Sequence, residues 1–240
     1  LQFTAQMIRL VTFDAAGTLI EQRLDPGALA ARIVREHGGD VSEECGSRTY
    51  YDIQERFREE RELAEHLQDR QRIRAVWMAM VEAWTQEVGA RGMPAAELLD
   101  EFLRRSFSGE GHAFALYEDV LPTLDELDSM GVATGVISNW DHTLHLTLKR
   151  LGVSERFAFA IASLEFGAEK PDPRIFRHAL ERAGVEPNEA LHVGDSVEDD
   201  YRGALDSGLR AVLLDRTAGE PPEDGIRSLL DLPRLIKAWG

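Results

Sequence analysis

The sequence predicts an α/β fold: a parallel sheet with helices on both faces, interrupted after its first strand by an all-helical insertion. Three observations predict it. Ile8 to Phe13 (IRLVTF) is a short apolar run of the kind a central parallel strand requires, because such a strand is buried on both faces. From Tyr117 onward, apolar strand-like runs alternate with helical patterns, which is the order of βαβ units. Between these regions, from about Glu21 to Gly111, the chain is rich in Ala, Leu, Glu and Arg and holds no convincing strand.

Taken in order, the insertion carries the helical patterns ALAARIVREHG (stopped at Gly38), YYDIQERFREERELAEHLQ, RIRAVWMAMVEAWTQEVGARG and AAELLDEFLRRSFS. The alternating part follows. VLPTLDELDSMG is a helix stopped by Gly131, ATGVIS a strand, DHTLHLTLKRLG a helix and FAFAIAS a strand. DPRIFRHALERAG is a helix, ALHVGD a strand, DYRGALDSG a helix, RAVLLD a strand and IRSLLDLPRLIKAW a closing helix. The loop TAGEPPEDG after the last strand reads as surface. The domain boundaries expected from this pattern give a sheet-based core from 1–20 and 112–240 and a helical block from 21–111.

Composition limits the function classes. The 240 residues suffice for one large domain or one domain with an insertion, and 43% are hydrophobic, enough for a real core. With 27 basic residues against 43 acidic ones, the net charge of −16 argues against nucleic acid as a partner, since phosphate binding rests on basic patches. No segment approaches the roughly 18 consecutive apolar residues of a membrane span. The start, LQFTAQM, lacks the basic and apolar regions of a signal peptide, and Met7 reads as a natural start. A single cysteine, Cys45, leaves no internal disulfide and fits a reducing, cytoplasmic setting.

Ligands of open parallel sheets bind beyond the carboxyl ends of the strands, and four features of this chain lie there. They are Asp14 to Thr18 (DAAGT), Ser138 and Asn139 in VISNWD, Lys170 in EKPDPRIF, and Asp195, Asp199 and Asp200 in HVGDSVEDD. Singly each has an ordinary reading: a turn, an N-cap, a proline-started helix entry, an acid-rich helix N-terminus. Their order and their common address at strand ends favour function. An unpartnered carboxylate at a buried strand end is also a poor structural choice. Asp141 reads as an N-cap, Asp199 as a cap or turn residue, and Trp77 and Trp84 as core of the helical block. The stretch Arg56 to Arg74, interleaved with glutamates, reads as a solvated face. His142 and His145 lack the further ligands of a zinc set.

In this series of four motifs the chain resembles the haloacid dehalogenase (HAD) superfamily of Rossmann-like hydrolases. The helical block resembles that superfamily's C1-type cap. Within the superfamily, GVISNWDHTL and EKPDPRIF are most similar to the HAD-like domain-containing proteins related to rhythmically expressed gene 2 protein. The resemblance implies a phosphatase that forms an aspartyl phosphate on Asp14 with the help of Lys170. It implies Mg²⁺ held by Asp14, the backbone carbonyl of Ala16 and Asp195, with Asp200 acting through metal-bound water. Thr18, Ser138 and Asn139 would contact phosphate, and the cap would set the identity of a small phosphorylated metabolite. The chemistry is sound on its own terms. A carboxylate nucleophile splits one hard displacement into two, and phosphoryl transfer depends mainly on positioning and charge neutralisation. Lys170 is expected to help keep the clustered acids ionised.

One position departs from the family pattern. Phosphatases of the superfamily typically carry a second Asp two residues after the nucleophile as general acid and base, and here that residue is Ala16. A slow phosphatase and a phosphate- and Mg²⁺-binding regulatory protein both fit, the first slightly better. A phosphonatase fits less well, because none of Lys149, Lys170 and Lys237 lies in the helical block. A 2-haloacid dehalogenase is disfavoured by Gly194 and Asp195.

Overall fold

The computed structural model describes residues 7–107, 113–217 and 225–239. The segment Leu1 to Gln6 and Ala218 to Asp224 of the loop after the RAVLLD strand lie outside the described residues. The chain forms two compact units, one of Leu1–Glu21 with Leu116–Gly240, the other of Gln22–Ala115. The crossings lie within two short strands, β2 (Ile20–Gln22) and β3 (Phe114–Leu116), which pair with each other. Three residues are too few to show an alternating pattern, which is why neither strand was expected.

The first unit is built on a six-stranded parallel sheet in the order β5-β4-β1-β6-β7-β8. The strands are β1 (Leu10–Phe13), β4 (Ala133–Ser138), β5 (Phe159–Ala162), β6 (Ala190–Gly194), β7 (Arg210–Leu214) and β8 (Gly225–Ile226). The order runs outward in both directions from β1, so the sheet has its topological switch point beside that strand, where open α/β sheets place their ligands. All four residues of β1 are fully buried. Because side chains alternate across a strand, both faces of the sheet are covered at β1.

On one face Leu10 packs with Ile137 of β4, Phe159 and Ile161 of β5, and Ile175 and Phe176 of α9 (Pro173–Ala183). That helix starts as the sequence expects: Asp172 caps it by accepting the Arg174 amide at 2.8 Å, Pro173 occupies the first turn, and Gly184 ends it at φ 65°. The remaining helices of this unit are α6 (Val120–Ser129), α7 (Thr143–Arg150), α8 (Ser163–Phe166), α10 (Gly203–Asp206) and α11 (Leu232–Trp239).

Two differences from the expected elements bear on the site. The DYRGALDSG helix begins earlier and wider, as a π-helical turn over Val197–Arg202 that continues into α10. The Tyr201 amide reaches back five residues to the Ser196 carbonyl at 3.1 Å. Such turns gather at functional sites because they re-aim one side chain, and here that side chain is Asp200. The tail is not one helix: Ile226 ends β8, a 3₁₀ turn spans Leu229–Asp231, and α11 follows.

The second unit holds α1 (Pro26–Glu36), α2 (Glu43–Arg56), α3 (Arg58–His66), α4 (Arg70–Glu87) and α5 (Ala95–Phe107). Asp25, Ser42 and Asp69 cap α1, α2 and α4 through their side-chain oxygens. The YYDIQERF pattern breaks at Phe57, giving two helices where the sequence reads as one. Ile33, Val34, Ile53, Met80, Trp84 and Leu98 form the core. Trp84 is in that core and Trp77 is half-buried. Arg56, Arg58 and Arg74 make exposed ion pairs with Glu87, Glu55 and Asp100, the solvated face expected of them.

The closest packing in this unit is the crossing of α1 and α2. A methyl group on Gly46 would lie 2.5 Å from the Gly27 carbonyl oxygen and 2.8 Å from the Ala31 Cβ, and the indole of Trp84 donates to the Gly46 carbonyl at 3.0 Å. Gly→Ala in a helix ordinarily stabilises by roughly 0.5–1 kcal/mol. At this crossing the sign reverses. Gly46→Ala is expected to lower stability by about 1–3 kcal/mol through overpacking, read as a fall in the urea midpoint of the intact chain. A rise in the midpoint would show that the helices can part without cost.

Candidate active site

Register brings the site together. Phe13 pairs with Val136 on one side and Val193 on the other, so Asp14, Ser138 and Asp195 emerge beside one another at the carboxyl ends of β1, β4 and β6. The Asp14 amide donates to the Val193 carbonyl at 2.9 Å, which extends the ladder to the carboxylate itself. The chain then turns back within a few residues. The Leu19 and Ile20 amides both donate to the Ala15 carbonyl, at 3.0 and 2.7 Å, and the Gly17 amide donates to the Ile20 carbonyl at 2.9 Å. Gly17 sits at φ 79°, and a Cβ there would lie 2.4 Å from an Asp195 carboxylate oxygen. Only glycine satisfies both constraints.

Lys170 enters from the segment ahead of α9. Asn139 clamps its backbone twice, donating from Nδ2 to the Lys170 carbonyl at 2.9 Å and accepting the Lys170 amide on Oδ1 at 2.8 Å. Lys170 is 4% exposed, and its ammonium donates to Asp14 Oδ1 at 2.6 Å and to Asp200 Oδ1 at 2.5 Å. Ser138 Oγ also donates to Asp14 Oδ1, at 3.1 Å. Asp200 has two further donors: Oδ1 takes His192 Nε2 at 3.0 Å as well, and Oδ2 accepts the Ser196 amide at 3.0 Å.

The electrostatics separate the acids. Burial favours a neutral Asp200, but the bonds from His192 and Lys170 and the charge of Lys170 outweigh it and hold this carboxyl well below the usual range. At Asp14 burial is the larger effect. Together with the charges of Asp200 and Asp195 it overrides Lys170 and pushes the carboxyl up. Lys170 therefore favours the ionised form of both acids, as expected, but at Asp14 burial and the neighbouring acids outweigh it. Burial and Asp200 raise Asp195 too. Burial opposes the charged form of Lys170, yet the two carboxylates beside it raise its pKa above the ordinary value.

Asp14, Asp195 and Asp200 each present one carboxylate oxygen within 4.8 Å of the others, and Asp195 is open to solvent. Among the described residues they form the one such cluster of acidic or imidazole ligands. An all-oxygen donor set suits a hard cation such as Mg²⁺, and a site open on one side lets it keep waters. A divalent charge there would lower the raised pKa values of Asp14 and Asp195.

Some side chains hold posts other than those expected. Thr18 is fully buried and donates to Asp195 Oδ1 at 3.3 Å, so it steadies that acid. Ser196, not Asp199, supplies the cap, accepting the Asp199 amide at 3.1 Å. Asp141 accepts the Thr143 amide at 2.9 Å from one residue ahead of the N-cap of α7, which is His142. His145 pairs with Glu165 at 2.6 Å on the surface. Ala16 is exposed.

The family model for haloacid dehalogenase-like hydrolases matches residues 8–208. The chain belongs to that family. It is 33% identical over 234 residues to haloacid dehalogenase-like hydrolase domain-containing protein 3 of Mus musculus, covering 95% of this chain and 90% of the relative. A phosphoserine phosphatase of Thermus thermophilus is 38% identical over 140 residues, 58% of this chain and 53% of that protein. Among solved structures, a 2-haloacid dehalogenase from Pseudomonas syringae superposes with a TM-score of 0.68 at 29% identity, covering 98% of this chain and all of the other. The chain is thus a HAD-like hydrolase, and the first relative bears the name of the HAD-like domain-containing group that the sequence resembles.

His192 was not singled out from sequence, because it lies inside an apolar strand run. It is 1% exposed, and Thr12, its partner in the β1–β6 register, lies 2.9 Å from Nδ1. Asp200 Oδ1 lies 3.0 Å from Nε2, and burial, the largest effect, outweighs this partner and lowers the ring's pKa below 6.5. The folded chain then binds fewer protons than the unfolded chain below that value. The stability His192 contributes is complete above the unfolded pKa and is lost as pH falls from about 6.5 toward the lower folded value. His192→Gln is expected to flatten the fall in unfolding free energy between about pH 7 and pH 5. An unchanged slope would mean the ring titrates as freely folded as unfolded.

Proposed function

We propose that this chain is a Mg²⁺-dependent phosphatase of a small phosphate ester, working through an aspartyl phosphate on Asp14. One observation carries the reading. The carboxylate at the switch point of the sheet is held by a buried ammonium at 2.6 Å and shares a cluster of hard oxygen donors with Asp195 and Asp200. The named phosphatase relative supports it. Asp14, Asp195 and the Ala16 carbonyl would hold the cation, which when bound neutralises charge on the phosphoryl oxygens. Ser138 and Lys170 fix the direction of Asp14. Lys170 directs two of its three N–H groups at acids, which leaves the third for a phosphoryl oxygen. Asp14 attacks phosphorus and the bond to the leaving oxygen breaks. Water then attacks phosphorus, freeing inorganic phosphate and restoring the carboxylate. The single, unpaired Cys45 supports a reducing, cytoplasmic setting, and the net charge of −16 argues against nucleic acid as partner.

Ala16 bears on both the rate and a second reading. A methyl group transfers no proton, so the leaving oxygen departs unassisted and esters with acidic leaving groups are favoured. The same residue favours the alternative of a phosphate- and Mg²⁺-binding regulatory protein that turns over negligibly. The name of the structural neighbour raises dehalogenation, against which Asp195 stands as a cation ligand.

The chain is expected to release phosphate from an activated aryl phosphate in the presence of Mg²⁺, and Asp14→Asn is expected to abolish that release. Release no greater than in that variant would favour the binding reading, and metal-independent halide release from a 2-haloacid would overturn both. Ala16→Asp is expected to raise turnover of alkyl phosphates by at least about 10-fold, part of the 10²–10⁴ that a well-placed general acid contributes. An unchanged rate would mean that proton transfer is not what limits this enzyme.

A further inference from the structure

Arg216, just past β7, makes contacts that no motif predicts. Its Nε donates to the Gly17 carbonyl at 3.2 Å and its Nη2 to the Thr18 carbonyl at 2.7 Å. These are the two carbonyls that follow Ala16 in the turn beyond Asp14. The other edge of the guanidinium forms a fork on Asp119, with Nη1 to Oδ2 at 3.0 Å and Nη2 to Oδ1 at 2.9 Å. Asp119 is itself held by Ser228 Oγ at 2.8 Å and the Leu229 amide at 2.9 Å. The guanidinium carbon lies 3.8 Å from the centre of the Tyr117 ring. One planar group therefore ties the turn after β1 to the segments after β3, β7 and β8.

We propose that Arg216 is a positioning residue for the nucleophile turn: by gripping the Gly17 and Thr18 carbonyls it sets the direction of the Ala16 carbonyl and of the Thr18 hydroxyl that steadies Asp195. The backbone geometry makes this effective. The Ala16 carbonyl shares one rigid peptide plane with the Gly17 amide, which donates to the Ile20 carbonyl at 2.9 Å, and the grip on the next two carbonyls holds the turn that this bond closes. A carbonyl offered to a cation must also point at one place. The guanidinium suits the task because its donors lie in one rigid plane, whereas lysine presents a point charge that can serve one carbonyl or the carboxylate but not the whole set. The Asp119 fork orients that plane, as outer partners of metal ligands do. The role at Mg²⁺ rests on the function proposed above, whereas the grip on the turn does not.

The test uses the intact chain and the variants Arg216→Met, Arg216→Lys and Asp119→Asn. Amide hydrogen exchange at Gly17, Leu19 and Ile20, whose N–H groups close the turn, is expected to speed up about 10-fold or more in Arg216→Met, with little rescue by lysine, while β1 amides stay protected. Calorimetric titration with Mg²⁺ alone is expected to show affinity falling roughly 10–100-fold in Arg216→Met and less in Asp119→Asn. A purely structural role would instead lower the melting temperature and leave the affinity of the folded protein unchanged. Unchanged exchange in the turn overturns the proposal. If the wild-type chain binds no Mg²⁺, the metal-dependent function fails and the metal part of this proposal with it, while exchange still decides the grip on the turn.

Discussion

The ammonium of Lys170 lies buried between the carboxylates of Asp14 and Asp200, and the core unit is arranged to keep it there. Three charges out of water are costly unless each has partners, and removing one partner of a buried pair typically costs roughly 3–5 kcal/mol because the other is left uncompensated. Each member is accordingly held from a separate element. Asn139 at the end of β4 clamps the Lys170 backbone, the π-helical turn delivers Asp200, and the β1–β6 ladder runs up to Asp14.

The arrangement divides labour among the acids. Asp200 accepts from His192, Lys170 and the Ser196 amide, which leaves it anchored and strongly acidic. Asp14 has two donors on one oxygen and a carboxyl raised by burial, so it stays the more responsive group, poised for a cation or an electrophile. Asp195, open to solvent and steadied by the buried Thr18, faces outward between them. A buried salt bridge is weak evidence of stability in itself, and its better attested use is to fix one arrangement. Here that arrangement presents a nucleophile.

Much of this was legible in the sequence, for a physical reason. A parallel strand buried on both faces writes itself as an apolar run, and a polar residue that ends such a run lies at the sheet's ligand-binding edge. Asp14, Ser138 and Asp195 were found that way, and Lys170 by its place before a proline-started helix. What was not legible depends on pairings that leave no local trace. His192 sits inside an apolar run and acquires meaning only opposite Thr12. Arg216 and Asp119 stand 97 residues apart, each an ordinary charge in its own neighbourhood. The break at Phe57 and the π-helical turn follow from backbone hydrogen bonds that the periodicity of a short segment does not encode.

The central claim is that Asp14 carries the phosphoryl group. An acyl phosphate, unlike a free carboxylate, is reduced by borohydride to the alcohol, which would convert the side chain at position 14 to that of homoserine. Quenching the chain with borohydride during turnover of an aryl phosphate and reading the peptide that spans Val11 to Leu19 by mass spectrometry tests the claim directly. The account predicts the homoserine mass at position 14 only when substrate and Mg²⁺ are both present. Steady phosphate release with position 14 unmodified would contradict it.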